Sequence, residues 1–92
     1  MANVLLVDDD PAFVEATAKI IAVLGHTVNT ANSIKEAKTR LENASYDRIF
    51  LDLMLPDGSG FHLLEHIPSG NTDTKVTIIT GHPSVKNHVM SV

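Results

Sequence analysis

The sequence predicts an α/β domain built on a doubly wound parallel sheet, with strand and helix alternating four times. Short apolar runs without polar alternation are typical of strands that are covered on both faces. Helix-start signals follow these runs. In addition, three of the strands end at a polar residue: Asp8, Asp52 or Thr80. Parallel strands place their carboxyl ends at one edge of a sheet, so these side chains are predicted to converge there.

The first unit combines a strand over residues 4–7 with a helix that ends at Gly25. Asp10 and Pro11 are typical of an N-cap and a first helical position, and we favour this interpretation of Asp10 over a role as a metal ligand. The predicted inward stripe of the helix comprises Phe13, Thr17, Ile20, Ile21 and Leu24.

The second unit has a weaker, alternating strand over residues 26–30 and a helix that starts at a capping box of Ser33 and Glu36. Three residues at helical spacing are predicted to face the core, namely Ile34, Ala37 and Leu41.

The third unit has a buried strand over residues 48–51 that stops at Asp52, a loop over 55–60 and a helix over about 60–67. Residues 68–71 break the chain, and residues 76–79 form the fourth strand, which ends at Thr80. A last helix is predicted to start at Pro83, with three valines on one face: Val85, Val89 and Val92.

Composition excludes several classes of protein. With 92 residues, 43% of them hydrophobic and 20% charged, the chain has room for one globular domain. The net charge of −4, without a basic run, argues against direct contact with nucleic acid. No apolar run is long enough for a membrane span. The absence of cysteine excludes a disulfide framework and suits a cytoplasmic location.

The strand ends predict a cation site. Asp8, Asp9 and Asp52 are expected to crowd one small pocket, where like charges repel unless they share a proton or bind a cation. A hard divalent ion with oxygen ligands, Mg²⁺, fits best and leaves positions for phosphate oxygens. Asp52 stands alone on a central strand and is predicted to be the phosphoacceptor. Thr80 can offer its hydroxyl to the transferred group.

Three motifs resemble the receiver domain of two-component response regulators. They are VLLVDDDP over residues 4–11, FLDLMLPDGSG over 50–60 and IITG over 78–81, in the order and on the elements of that family. The resemblance spans the chain and implies a CheY-like or flavodoxin-like fold. It also implies a phosphorylation switch rather than an enzyme that acts on another substrate. The phosphoryl group would come from a partner histidine kinase or phosphotransfer protein.

The resemblance implies a role for each site residue. Asp52 is expected to accept the phosphoryl group and, with Asp9, to bind Mg²⁺ directly. Asp8 is expected to bind the ion through water, and the Met54 backbone carbonyl to be a further ligand. Thr80 is expected to be the switch hydroxyl, which moves toward the acyl phosphate.

The chain departs from the family pattern at its end. The family continues with a fifth strand, which carries a lysine, and a fifth helix; residues 1–92 are therefore expected to be a receiver domain that is incomplete at its C-terminus. Lys86 does not occupy the position of that lysine. The fourth strand is expected to be an unpaired apolar edge, which favours a homodimer or exchange of elements.

Some residues and functions keep a second interpretation. Asp57 suits turn chemistry better than a place in the acidic pocket. His62 and His66 stand four apart, are expected to share one helix face, and are predicted to be a solvated pair rather than a metal site. Asp8 and Asp10 also resemble the core of haloacid-dehalogenase-type phosphatases, in which they would be nucleophile and acid, but Ala12 stands where that family has a threonine. An interaction module that works without phosphorylation is the other alternative.

Overall fold

The computed structural model describes residues 2–67 and 74–79. No helix in these ranges is both long and apolar enough to cross a membrane. The elements run in the following order: β1 (Asn3–Val7), α1 (Pro11–Val23), β2 (Thr27–Ala31), α2 (Ile34–Asn43), β3 (Arg48–Asp52), β4 (Met54–Leu55), β5 (Gly58–Ser59), a 3-10 helix (Gly60–His66) and β6 (Lys75–Ile79).

The main sheet has four strands in the order β2-β1-β3-β6, and all three pairings are parallel. This confirms the predicted parallel α/β architecture. β1 is central and buried from its second residue onward, as expected of an apolar run without polar alternation. Its neighbour β3 is in register with it, so that Val7 lies beside Leu51. The strand ends that carry the aspartates therefore meet at one edge.

α1 begins as predicted. Asp10 Oδ1 accepts hydrogen bonds from the Ala12 and Phe13 amides at 3.1 and 3.3 Å, and Pro11 occupies the first turn. A carboxylate in this position satisfies amides that have no partner inside the helix. The interpretation of Asp10 as a cap is confirmed.

The predicted inward stripe of α1 is only partly correct. Thr17 and Ile21 are buried, but Ile20 and Leu24 are 62% and 68% exposed. The helix packs on β2 and β1, which leaves its other side open among the described residues. A groove of about 980 Å³ lies there, with an apolar lining that includes Phe13, Ile20, Leu24 and Phe50. Helical periodicity shows which apolar side chains share a face of the helix, but not how much of that face the sheet covers.

α2 matches its prediction closely. Ser33 Oγ accepts a hydrogen bond from the Glu36 amide at 3.1 Å, as a capping box requires. Ile34 and Ala37 are buried, and Leu41 packs against the same core. This core lies between α2, the 3-10 helix and the face of the sheet that they cover.

The segment after β3 differs from its prediction in two respects. Residues 54–59 form a short antiparallel ribbon of β4 and β5, and the following helix is of the 3-10 type. Four residues of a 3-10 helix advance the side chain about 120° beyond a full turn, so His62 and His66 do not share a face. Both residues are exposed, as expected of a solvated pair, but the expectation that they share one helix face is wrong. Thr80, Lys86 and the last helix predicted from Pro83 lie outside the described residues.

Candidate functional site

Three carboxylates meet at the carboxyl edge of the sheet. Asp8, Asp9 and Asp52 each offer one oxygen, and these three oxygens lie within 4.8 Å of one another. Asp8 is 1% exposed and Asp52 is fully buried, whereas Asp9 is exposed. The cluster therefore reaches solvent at Asp9 and extends inward to the end of β3. The structure brings together the three carboxylates that the strand ends predicted.

Backbone hydrogen bonds hold the two strand ends in place beyond the regular ladder. The Asp8 amide donates to the Ala31 carbonyl at 3.0 Å, and the Leu53 amide donates to the Ile79 carbonyl at 3.2 Å. Each bond joins the residue at or just after a strand end to the neighbouring strand. Because these contacts leave little freedom to the backbone, the carboxylates are positioned by the sheet itself.

Local hydrogen bonds orient the two buried carboxylates. Asp8 Oδ1 accepts from the Asp10 amide at 2.9 Å, and Asp52 Oδ1 accepts from the Met54 amide at 3.1 Å. Both are contacts of an aspartate with the amide two residues later, a common way for Asp to order a turn. The turn after each strand therefore sets the direction of the side chain that precedes it.

The donor set fits a hard divalent cation. Three carboxylate oxygens this close repel one another, and Mg²⁺ and Ca²⁺ prefer such oxygen ligands. In the part of the chain that the structure describes, no other group of three acidic or histidine residues forms such a cluster. Asp10 lies outside it and caps α1 instead.

The other predicted site residues stand differently. The Met54 side chain is 70% exposed, and its backbone amide contacts Asp52. A ligand role for the Met54 carbonyl stays a prediction. Thr80 follows directly after β6, outside the described residues, so its role as switch hydroxyl also stays a prediction.

An acidic cavity adjoins the carboxylate cluster. It has a volume of about 280 Å³ and lies between the start of α1 and the end of β2. No basic residue lines it. Its lining includes four acidic side chains: Asp8, Asp9, Glu15 and Glu36. Clefts lined by one sign of charge raise the local concentration of counter-ions, so this opening favours the approach of cations.

Gly60 lies directly beneath the Asp52 backbone. The Gly60 amide donates to the Leu53 carbonyl at 2.9 Å. A Cβ on Gly60 would overlap the Asp52 carbonyl oxygen and lie 3.0 Å from the Asp52 carbonyl carbon. The site therefore needs glycine here because another backbone approaches closely.

Asp57 has a role that was not predicted from the sequence. Its carboxylate accepts from the Ile34 and Lys35 amides at 2.8 and 3.0 Å, so it caps α2 from a distant part of the chain. These two hydrogen bonds, with the charge of Lys38, hold the pKa of Asp57 below its usual value. The Pro-Asp-Gly turn signal was correct, but it does not show which helix the side chain contacts.

An acidic cluster at the carboxyl edge of a β2-β1-β3-β6 parallel sheet defines a class of α/β domains that bind their ligands at this edge. Residues 4–92 match the model of the response regulator receiver domain. The chain belongs to this family.

Relatives of known role are longer than this chain. The acid tolerance regulatory protein ActR of Rhizobium meliloti is 31% identical over 98% of this chain, and the match covers 46% of ActR. The photosynthetic apparatus regulatory protein RegA of Cereibacter sphaeroides is 30% identical, with 49% of RegA covered. The chain therefore spans about half the length of these curated relatives.

Solved structures show the same fold. A CheY-like receiver domain from Methanospirillum hungatei superposes with a TM-score of 0.81 at 32% identity, covering 99% of this chain and 73% of that one. The response regulator TrrA of Thermotoga maritima, solved in complex with Mg²⁺-BeF, has a TM-score of 0.77 at 26% identity, covering 99% and 79%. The CheY-like fold that the motifs implied is thereby confirmed.

Proposed function

We propose that this receiver domain accepts a phosphoryl group on Asp52 and works as a phosphorylation switch in two-component signalling. The observation that carries the proposal is the position of Asp52, which lies fully buried at the end of β3 within reach of two further carboxylates. Family membership supports the role in signalling. Asp52 is taken as the acceptor because it stands alone at the end of a central strand, whereas Asp8 and Asp9 are consecutive, and because its motif resembles the acceptor motif of the family.

The transfer itself needs one nucleophile and a donor with a good leaving group. An Asp52 carboxylate oxygen attacks phosphorus, the bond from phosphorus to the histidine nitrogen of the donor breaks, and its electron pair returns to the imidazole. The product on this chain is an acyl phosphate. The donor is a phosphohistidine on a sensor kinase or phosphotransfer protein, so the chain promotes its own phosphorylation and dephosphorylation without turning over a separate substrate.

We assign Mg²⁺ to Asp8, Asp9, Asp52 and the Met54 backbone carbonyl. When bound, the ion neutralises charge on the phosphoryl oxygens. Hydrogen bonds from the backbone orient two of these carboxylates: the Met54 amide donates to Asp52, and the Asp10 amide donates to Asp8. Thr80 is assigned as the hydroxyl that contacts the phosphoryl group after transfer. A Mg²⁺-BeF complex of the similar TrrA protein supports the choice of ion.

The two alternative functions fare differently. The phosphatase alternative needs Asp10 as an acid in the reaction centre, but Asp10 caps α1 and lies outside the carboxylate cluster. An interaction module that works without phosphorylation stays the alternative, and the experiment below would favour it if the chain bound Mg²⁺ without being phosphorylated.

The cytoplasmic location stays a prediction.

Intact-mass spectrometry tests the proposed function. We expect incubation with a small-molecule phosphodonor and Mg²⁺ to add one phosphoryl group to the chain. A chelator should abolish the adduct, because three uncompensated carboxylates repel an incoming phosphate. Binding of Mg²⁺ without any adduct would contradict the phosphoacceptor role and favour the interaction module.

We also propose that β6 is a site of self-association. Among the described strands β6 pairs only with β3, and three of its five residues are half-buried. A strand with an unpaired edge readily pairs with a second chain. We expect the chain to elute as a dimer in gel filtration at high concentration and to dissociate on dilution. A monomer over the whole concentration range would contradict this prediction.

A further inference from the structure

The tip of the β4-β5 ribbon is bonded to the first turn of α2. Asp57 Oδ1 accepts from the Ile34 amide at 2.8 Å, and Asp57 Oδ2 accepts from the Lys35 amide at 3.0 Å. These amides belong to the first helical turn, where no partner exists within the helix. The helix already has a cap of its own, because Ser33 Oγ accepts from the Glu36 amide. Asp57 therefore adds a second cap, although it lies 23 residues from Ile34 and 22 residues from Lys35 along the chain.

Packing reinforces this contact. Gly58 lies next to Asp57 at the tip, with φ of +142°, a conformation that L side chains rarely adopt. A Cβ on Gly58 would lie 3.1 Å from Cδ1 of Ile34, which is itself buried. The ribbon tip therefore rests closely on α2. Both oxygens of an ionised carboxylate take part, and hydrogen bonds of this charge-assisted kind are stronger than neutral ones.

The other end of the ribbon touches the carboxylate cluster. Met54, at the start of β4, pairs with Ser59 of β5, and its amide donates to Asp52 Oδ1 at 3.1 Å. The Gly60 amide closes the base of the ribbon on the Leu53 carbonyl at 2.9 Å. A six-residue ribbon thus connects α2 at its tip with the candidate phosphoacceptor at its base.

We propose that Asp57 is a positioning residue for the metal site, acting by anchoring the ribbon on α2 and so fixing the Met54 backbone beside Asp52. This inference rests on the proposed function. Its physical basis is that the ribbon has only two paired residues in each strand, too few to hold its shape alone. With the tip fixed at α2 and the base at Leu53, the Met54 amide and carbonyl are left with little freedom.

Amide hydrogen exchange and calorimetry test the proposal on the full 92-residue chain. In the metal-free protein, Asp57→Ala is expected to speed exchange at the Met54 amide. Titration with MgCl₂ is expected to show Mg²⁺ binding weakened about tenfold, the lower end of what the loss of a residue supporting metal ligands costs. Asp57→Asn keeps one acceptor oxygen without the charge, and we expect it to fall between the parent and Asp57→Ala.

Ser33→Ala is the matched control. It removes the other cap of the same helix but leaves the ribbon contact, so it should weaken α2 without changing Met54 exchange or Mg²⁺ affinity. Equal exchange and equal affinity in the parent and in Asp57→Ala would overturn the proposal, as would an equal loss in Ser33→Ala. Should Asp57→Ala fail to fold, the comparison of Asp57→Asn with Ser33→Ala decides it. A parent that binds no Mg²⁺ would contradict the metal site of the proposed function, while the exchange data still test the anchor.

Discussion

Asp52→Asn is expected to abolish phosphorylation completely while leaving the fold intact. The carboxamide has nearly the shape of the carboxylate, and its oxygen can still accept from the Met54 amide that orients Asp52. It is not a nucleophile for phosphorus at neutral pH. Intact-mass spectrometry with phosphodonor and Mg²⁺ should therefore show one phosphoryl adduct on the parent chain and none on the variant.

Asp47→Asn provides the matched control for this experiment. Asp47 is an exposed aspartate that also accepts a backbone hydrogen bond, from the Asn3 amide at 2.7 Å, but it lies at the amino-terminal edge of the sheet. This variant loses the same charge far from the cluster and should be phosphorylated like the parent. An adduct on Asp52→Asn would show that another residue, such as Asp8, is the acceptor.

Gly60→Ala is expected to have the largest effect on stability of the substitutions considered. The added Cβ would overlap the Asp52 carbonyl oxygen and lie 3.1 Å from Cα of Leu53, and both are backbone atoms that cannot rotate away. Overpacking of this kind costs about 3 kcal/mol. For a domain of this size, that corresponds to a fall in Tm of roughly 12–24 °C. Thermal unfolding followed by circular dichroism measures it.

Gly25→Ala separates steric overlap from backbone strain. Gly25 has φ of +94° with nothing within 4 Å of an added Cβ, so the substitution costs conformational strain alone, about 1–2 kcal/mol. Gly25 follows α1, next to the amino end of β2, and its loss should not affect Mg²⁺ binding. Gly60→Ala should weaken Mg²⁺ binding as well, because it displaces the backbone of Asp52. Equal effects of the two substitutions on Tm and on Mg²⁺ affinity would contradict this account.

The burial of Asp52, the proposed phosphoacceptor, has a simple structural origin. β3 lies between β1 and β6, so its carboxyl end is surrounded by neighbouring strands, and Asp52 has Ile79 as its register partner. A carboxylate placed there is shielded from water on both sides, which strengthens its interactions with other charges. Asp9 lies in the turn after β1 and stays exposed. The cluster thus combines a buried carboxylate, the proposed phosphoacceptor, with an opening to solvent.

The burial of the apolar side of α1 could be predicted only in part from the sequence. Periodicity places Ile20 and Leu24 on the same stripe as Thr17 and Ile21, yet only the second pair is buried. Periodicity reports which side chains share a face of the helix. The position of the helix on the sheet decides how much of that face is covered, and here α1 lies over β1 and β2.

The sequence by itself determined the features that depend on local chemistry or on strand order. The caps at Asp10 and Ser33 follow from interactions within three residues. The convergence of Asp8, Asp9 and Asp52 follows from apolar runs that must form adjacent parallel strands. These predictions succeeded because each rests on one segment, or on the single rule that the carboxyl ends of parallel strands share an edge.

The tertiary structure alone decided the contacts between segments that have no shared pattern. Asp57 reaches the amides of Ile34 and Lys35 across more than 20 residues, and nothing in Pro-Asp-Gly specifies that partner. The close approach of Gly60 to the Asp52 carbonyl likewise depends on how the ribbon folds back. Turn signals describe the backbone of their own few residues, whereas such contacts depend on how helices and loops pack on the finished sheet.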